Sequence, residues 1–196
     1  MTDPGIPAQL VTYSRRAYER RLMGGTGGNF SARVDADTML ITATGVSLGD
    51  TTTDNLVSID IRDGTWASPL GLEPSKEYQF HLEIMRLRDD VGAVLHGHPP
   101  YATAFAVLER DIPMVTDAAF KQPPMPRVAF APSGSEELRD LVAQAIRENP
   151  GCKALLLEEH GIAALGADVT AAFNTADLTE ELARIALLAE LLSRGT

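Results

Sequence analysis

The stretch Val91-Gly92-Ala93-Val94-Leu95-His96-Gly97-His98-Pro99-Pro100 is an apolar run that ends in His-x-His and is stopped by two prolines. Alternate side chains of a strand point to the same face. A strand over Val91 to His98 therefore aims the imidazoles of His96 and His98 at one point. The proline pair ends that strand and lets a new element begin. Imidazole is a common metal ligand and also a common polar end to a strand. The pair alone leaves both readings open, a half-built metal site or two hydrogen-bonded histidines, and other residues must decide.

Working outward, strands and helices interleave in an α/β pattern. Ile6, Leu10, Tyr13, Ala17, Tyr18 and Leu22 are spaced as the apolar stripe of a helix from about Ile6 to Met23. Gly24-Gly25-Thr26-Gly27-Gly28 ends it. Short β-rich segments follow at Asn29–Val34, Met39–Thr42 and Leu56–Ile61, with Asp35-Ala36-Asp37 as the first hairpin turn, so the early strands form a meander. Ser75 stands as the N-cap of a helix to about Arg88, and a further helix runs from Pro100 to about Leu108. Pro113–Pro132 is broken by prolines and shows no period. Ser133 or Ser135 caps a helix to about Arg147, Ala154–Leu157 and Ile162–Leu165 are extended, and Thr170–Leu192 is a long last helix.

The chain holds four histidines, His81, His96, His98 and His160. His160 follows an apolar strand-like run and precedes a glycine, so it too sits at a strand end. It completes a three-imidazole set with a coordination position left for water or substrate, as catalytic metal sites require. Its alternative is a polar residue at a β-turn, but two strand ends that both deliver histidine favour the metal. Glu77 falls in the first turn of the Ser75 helix, where a carboxylate gains roughly 0.3–1 kcal/mol from the helix dipole. It is equally placed to be a metal ligand or a general base. His81 lies four residues on, on the same helical face, and a Glu77–His81 hydrogen bond is expected rather than a fourth imidazole ligand.

The loops Gly27–Ser31 and Thr42–Gly45 expose backbone N–H groups beside small polar side chains, and Ser75 with Lys76 adds a helix start carrying a cation. Such elements cradle anions. Neither loop is a P-loop, and the glycine run leads from helix to strand, the reverse of the dinucleotide fingerprint.

With 196 residues and 21.0 kDa, one domain spanning 1–196 is expected. A formal charge of −10 without a basic run argues against a nucleic-acid partner. A single cysteine, Cys152, excludes an intrachain disulfide and suits a reducing cytosol. Met1–Pro7 lacks the pattern of a signal peptide, and no run of about 18 or more apolar residues could span a membrane. A cytoplasmic protein without membrane or nucleic-acid partners is expected.

The ordered set Gly28-Asn29-Phe30-Ser31, Ile41-Thr42-Ala43-Thr44-Gly45, Pro74-Ser75-Lys76-Glu77, His96-Gly97-His98-Pro99 and Glu159-His160-Gly161 resembles the class II aldolase/adducin family, from the first helix to the last. The resemblance implies a single-domain α/β fold, a central, mostly antiparallel β-sheet flanked by α-helices in three layers. It implies a C4 homotetramer with sites at subunit boundaries. It places Zn2+ (or Mn2+) on His96, His98 and His160, with Glu77 as a ligand that can swing off and act as base. It assigns the phosphate pocket to Gly28, Asn29, Thr44, Gly45, Ser75 and Lys76. The implied substrate is a small phosphorylated sugar or sugar acid. A metal chelated by a ketone and a neighbouring hydroxyl acts as a Lewis acid on the enediolate left when a carbon–carbon bond breaks.

The sequence also departs from the family pattern. Sugar-phosphate aldolases of the family have serine where Lys76 stands, and lysine there is similar to members that decarboxylate 3-oxo sugar-acid phosphates. The tyrosine that the aldolases donate across a subunit boundary falls at Asp117, a candidate proton donor whose alternative is a solvated loop carboxylate. A further C-terminal tyrosine of those aldolases finds no match before Thr196. Epimerases of the family have aspartate at the place of Glu77. Aldol cleavage or condensation of a phosphorylated ketose is the first expectation and decarboxylation through the same chemistry the second. A non-catalytic, adducin-head-like binding module is a third, disfavoured by the retained histidines and Glu77.

Overall fold

The first apolar stripe folds as α1 (Gly5–Glu19), which buries Leu10, Ser14 and Ala17. It stops short of Met23 because Arg21 adopts a left-handed φ of 59° and the Leu22 N–H turns back onto the Ala17 carbonyl at 3.0 Å, a Schellman-type stop. The computed structural model describes residues 5–194; Met1–Pro4 of the N-terminal stretch read above, and Gly195 and Thr196, lie outside the described residues.

Next come β1 (Asn29–Arg33), β2 (Thr38–Thr42), β3 (Leu56–Asp60) and the two-residue β4 (Trp66–Ala67). β1, β2 and β3 form the expected meander, with Ser31 opposite Ile41 and Leu40 opposite Ser58, and β4, not expected from the sequence, extends it by pairing with β3. α2 (Tyr78–Leu87) begins two residues later than the Ser75 cap predicts. Pro74 bridges Ala43, and the Ser75 N–H donates to Thr42 O at 3.1 Å, so this segment is extended alongside the sheet. Ser75 is therefore not an N-cap.

The His-x-His run is β5 (Ala93–Gly97), followed by α3 (Pro100–Val107). Inside the proline-broken stretch lie α4 (Asp117–Phe120) and β6 (Arg127–Val128), both too short to leave a period in the sequence. α5 (Glu136–Glu148), β7 (Ala154–Leu157), β8 (Gly161–Gly166) and α6 (Val169–Ser193) complete the order.

The eight strands make one sheet in the order β4-β3-β2-β1-β5-β8-β7-β6. Every pairing is antiparallel except β6 with β7. Strand alternation splits the core in two. Phe30, Ala32, Leu95 and Ala164 pack with Leu10 of α1, Phe105 of α3 and Phe173 of α6. Met39, Ile41, Val94 and Leu165 pack with Phe80 and Ile84 of α2 and Val142 of α5. The result is a three-layer α/β domain. β1, β5 and β8 lie side by side at its centre, with Asn29 opposite His96 and His96 opposite Ala163. One end of these three strands carries the candidate site.

Candidate active site

His96 is fully buried at the end of β5. Its Nδ1 lies 2.8 Å from the carbonyl oxygen of Ile162 on β8. A carbonyl only accepts, so Nδ1 carries the hydrogen and Nε2 presents a lone pair. That lone pair faces His98 Nε2 at 3.1 Å and Glu77 Oε2 at 3.1 Å. His160, delivered by the turn between β7 and β8, brings its Nε2 to 3.2 Å from Glu77 Oε1. The three imidazoles each offer a ring nitrogen, and these lie within 4.8 Å of one another.

This donor set fits a divalent cation. Electron-rich nitrogens and a carboxylate converge on the His96 lone pair and repel one another unless a positive charge lies among them. Two nitrogens bound tetrahedrally at about 2.0–2.1 Å stand roughly 3.3 Å apart, close to the separation of the His96 and His98 nitrogens. Burial, with His96 and His160 adding to it, pushes the His98 imidazole down to about 4. It is thus neutral, as a ligand must be. Burial alone would raise the Glu77 carboxyl, but the facing imidazoles of His96 and His160 and the hydrogen bond from Ser133 outweigh it and hold Glu77 well below the usual carboxylate range.

Glu77 is 5% exposed and precedes α2 at φ −94°, ψ 6°. Lying outside the helix, it does not share a helical face with His81, and the expected Glu77–His81 hydrogen bond is not formed. His81 instead places Nδ1 2.7 Å from Ser31 Oγ on β1. Burial, reinforced by His96, lowers the His81 imidazole to about 3. The partners of Glu77 come from further away. Asn29 Nδ2 donates to Oε2 at 2.9 Å, and the Ser133 hydroxyl donates to Oε1 at 2.7 Å.

A cleft of about 430 Å3 opens over these groups. Its lining brings together Glu77, His98 and His160 with Gly28, Asn29, Thr44, Gly45, Ser75 and Lys76. All six residues read as an anion pocket are therefore gathered beside the histidines. Gly28 needs its glycine: φ is 77°, and an added Cβ would stand 2.9 Å from the His96 carbonyl oxygen. Lys76 is exposed in the cleft. Asp117, the first residue of α4, is not among the cleft-lining residues; its side chain is 85% exposed and paired with Lys121 at 2.5 Å. Ser133 is a cleft residue that the sequence suggested only as a helix cap. The cap of α5 is Ser135, whose Oγ accepts from the Leu138 N–H at 3.1 Å. The available signal was a surplus: two serines flank Gly134 before a helix that needs one.

Comparison with known proteins agrees with this geometry. The sequence model of the Class II Aldolase and Adducin N-terminal domain matches residues 8–187. An L-fuculose phosphate aldolase of Methanococcus maripaludis is 32% identical over 178 residues, 90% of this chain and 93% of the relative. A 5-methylthioribulose-1-phosphate/5-deoxyribulose-1-phosphate aldolase of Rhodospirillum rubrum is 38% identical, covering 89% of this chain and 76% of the relative. Among solved structures, an L-fuculose 1-phosphate aldolase superposes with a TM-score of 0.87 at 30% identity, over 98% of this chain and 89% of its own.

Proposed function

This chain belongs to the class II aldolase/adducin family, and from that premise we propose that it is a metal-dependent lyase that cleaves or condenses a small phosphorylated ketose. The observation that carries the reading is the convergence of the His96, His98 and His160 ring nitrogens within 4.8 Å of one another, beside the cleft that the proposed anion cradle also lines. In this reading His96, His98 and His160 hold the ion, with Glu77 as a displaceable fourth ligand. Three imidazoles and a carboxylate suit Zn2+ first and Mn2+ second. A divalent cation there supplies Lewis-acid stabilisation of the negative charge that develops on the substrate oxygens.

The chain's own residues do the rest. The backbone of Gly28 and Gly45 and the side chains of Asn29, Thr44 and Ser75, with the Lys76 ammonium, hold the phosphate and orient the ketose. Glu77, ionised and beside the imidazoles, takes a proton from the hydroxyl whose carbon–carbon bond breaks, or returns one to the enediolate carbon. Asp117, remote from this cleft in its own chain, serves as a proton donor only at a neighbouring subunit's site within the proposed C4 homotetramer. The single domain 1–196, free of disulfides, is placed in the cytoplasm.

Lys76 supports a second reading. It is a cleft cation with no ion-pair partner among the described residues. A second anion there suits decarboxylation of a 3-oxo sugar-acid phosphate. Metal-loaded protein incubated with a panel of phosphorylated ketoses and 3-oxo acid phosphates, assayed for triose phosphate and carbon dioxide, separates the two. Release of neither, with metal bound, refutes both.

A further inference from the structure

Four groups reach the Glu77 carboxylate, two at each oxygen. Oε1 is shared by His160 at 3.2 Å and the Ser133 hydroxyl at 2.7 Å. Oε2 is shared by His96 at 3.1 Å and Asn29 Nδ2 at 2.9 Å. Each oxygen thus meets one imidazole and one neutral donor, and rotating the carboxylate breaks both neutral bonds together. We infer that Ser133 is a positioning residue, whose hydroxyl holds the Glu77 carboxylate turned toward His96 and His160. The inference rests on the site assignment proposed above.

The backbone around Ser133 is built for this contact. Gly134 has a left-handed φ of 76°, and an added Cβ would stand 2.9 Å from the Lys76 carbonyl oxygen, so the loop lies directly on the segment that carries Glu77. The turn is closed by the Ser135 N–H donating to Pro132 O at 3.0 Å. Ala131 on one side is buried at 2% exposure, and Ser135 on the other caps α5. Both flanks of Ser133 are therefore anchored, while Ser133 itself lies at the exposed rim of the cleft. Removing its hydroxyl opens no cavity, so the alanine variant is expected to fold.

Ser133→Ala and Ser133→Thr test this. In the metal-loaded protein, Ser133→Ala is expected to lower kcat by roughly 10- to 100-fold with KM within about 2-fold, and Ser133→Thr, which keeps a hydroxyl, to recover most of the loss. Zn2+ titration of metal-free protein gives a readout independent of turnover. Ser133→Ala should weaken binding by roughly 10-fold beside Glu77 and by less than about 2-fold in a Glu77→Gln background. A raised KM with unchanged kcat would make Ser133 a substrate contact and overturn the inference. So would Zn2+ affinity unchanged by Ser133→Ala, or lowered equally in both backgrounds. If the wild type binds Zn2+ but turns over no phosphorylated substrate, the proposed function fails while the titration still decides the role of Ser133.

Discussion

The His96 ring is held by one nitrogen and offers the other. His96→Ala removes the innermost of the three imidazoles, and the variant is expected to lose both bound metal and activity; near-normal turnover would contradict the site. Glu77→Gln keeps the shape but not the charge. It should retain metal while kcat falls by roughly 100- to 10,000-fold, the contribution of a positioned base. His81 makes a different prediction, about stability. It is fully buried and lowered to about 3 by burial, whereas the unfolded chain titrates near 6.5. Between those values the unfolded state binds a proton that the folded state refuses. The folded state is therefore favoured fully above pH 6.5 and loses about 1.4 kcal/mol per unit as pH falls through that window. Urea unfolding of the metal-free protein at pH 7.5 and pH 5 should show the loss, and His81→Gln should reduce it, leaving the part that His98 contributes; an unchanged slope would contradict this origin.

The elements that carry the site are held by ordinary devices. β5 sits between β1 and β8, so His96 has a hydrogen-bonded neighbour on each side and cannot shift without disturbing three strands. α5 depends on its cap. Ser135→Ala removes the acceptor of the Leu138 N–H and is expected to cost about 1 kcal/mol, a fall of roughly 2–4 °C in Tm for a chain of this size. Because Ser135 also ends the loop that carries Ser133, a fall in kcat larger than the fall in stability would show that this loop must be rigid for turnover. The late start of α2 has a similar consequence. Ser75, held to Thr42 through its N–H, and Lys76, in the turn that follows, both line the cleft.

At the scale of the whole molecule, α6 leaves Leu188, Leu191 and Leu192 at 45%, 54% and 76% exposure. The proposed tetramer would cover this apolar run. Light scattering is expected to give a tetramer, and Leu188→Glu with Leu191→Glu to give smaller species; a wild-type monomer would refute the proposed assembly. Among the described residues no helix is long and apolar enough to cross a membrane.

Six of the eight strands, the three-strand meander and the pairing of His96 with His98 were legible from the residues, because alternation along a strand and the stop at a proline are local properties. β4 and β6, two residues each, were too short to read. The six residues proposed as the anion cradle were legible in the sequence too, through small polar side chains beside glycines and the family resemblance, and they line one cleft. The partners of Glu77 came from long-range packing. Asn29, His96, Ser133 and His160 are far from it in sequence, and they meet there because β1, β5 and β8 lie side by side while the loop before α5 folds over the start of α2. Sequence spacing suggested His81 as the partner four residues on, and the sheet supplied Ser31 to His81 instead. Sheet order and register are long-range packing outcomes. No local periodicity encodes them.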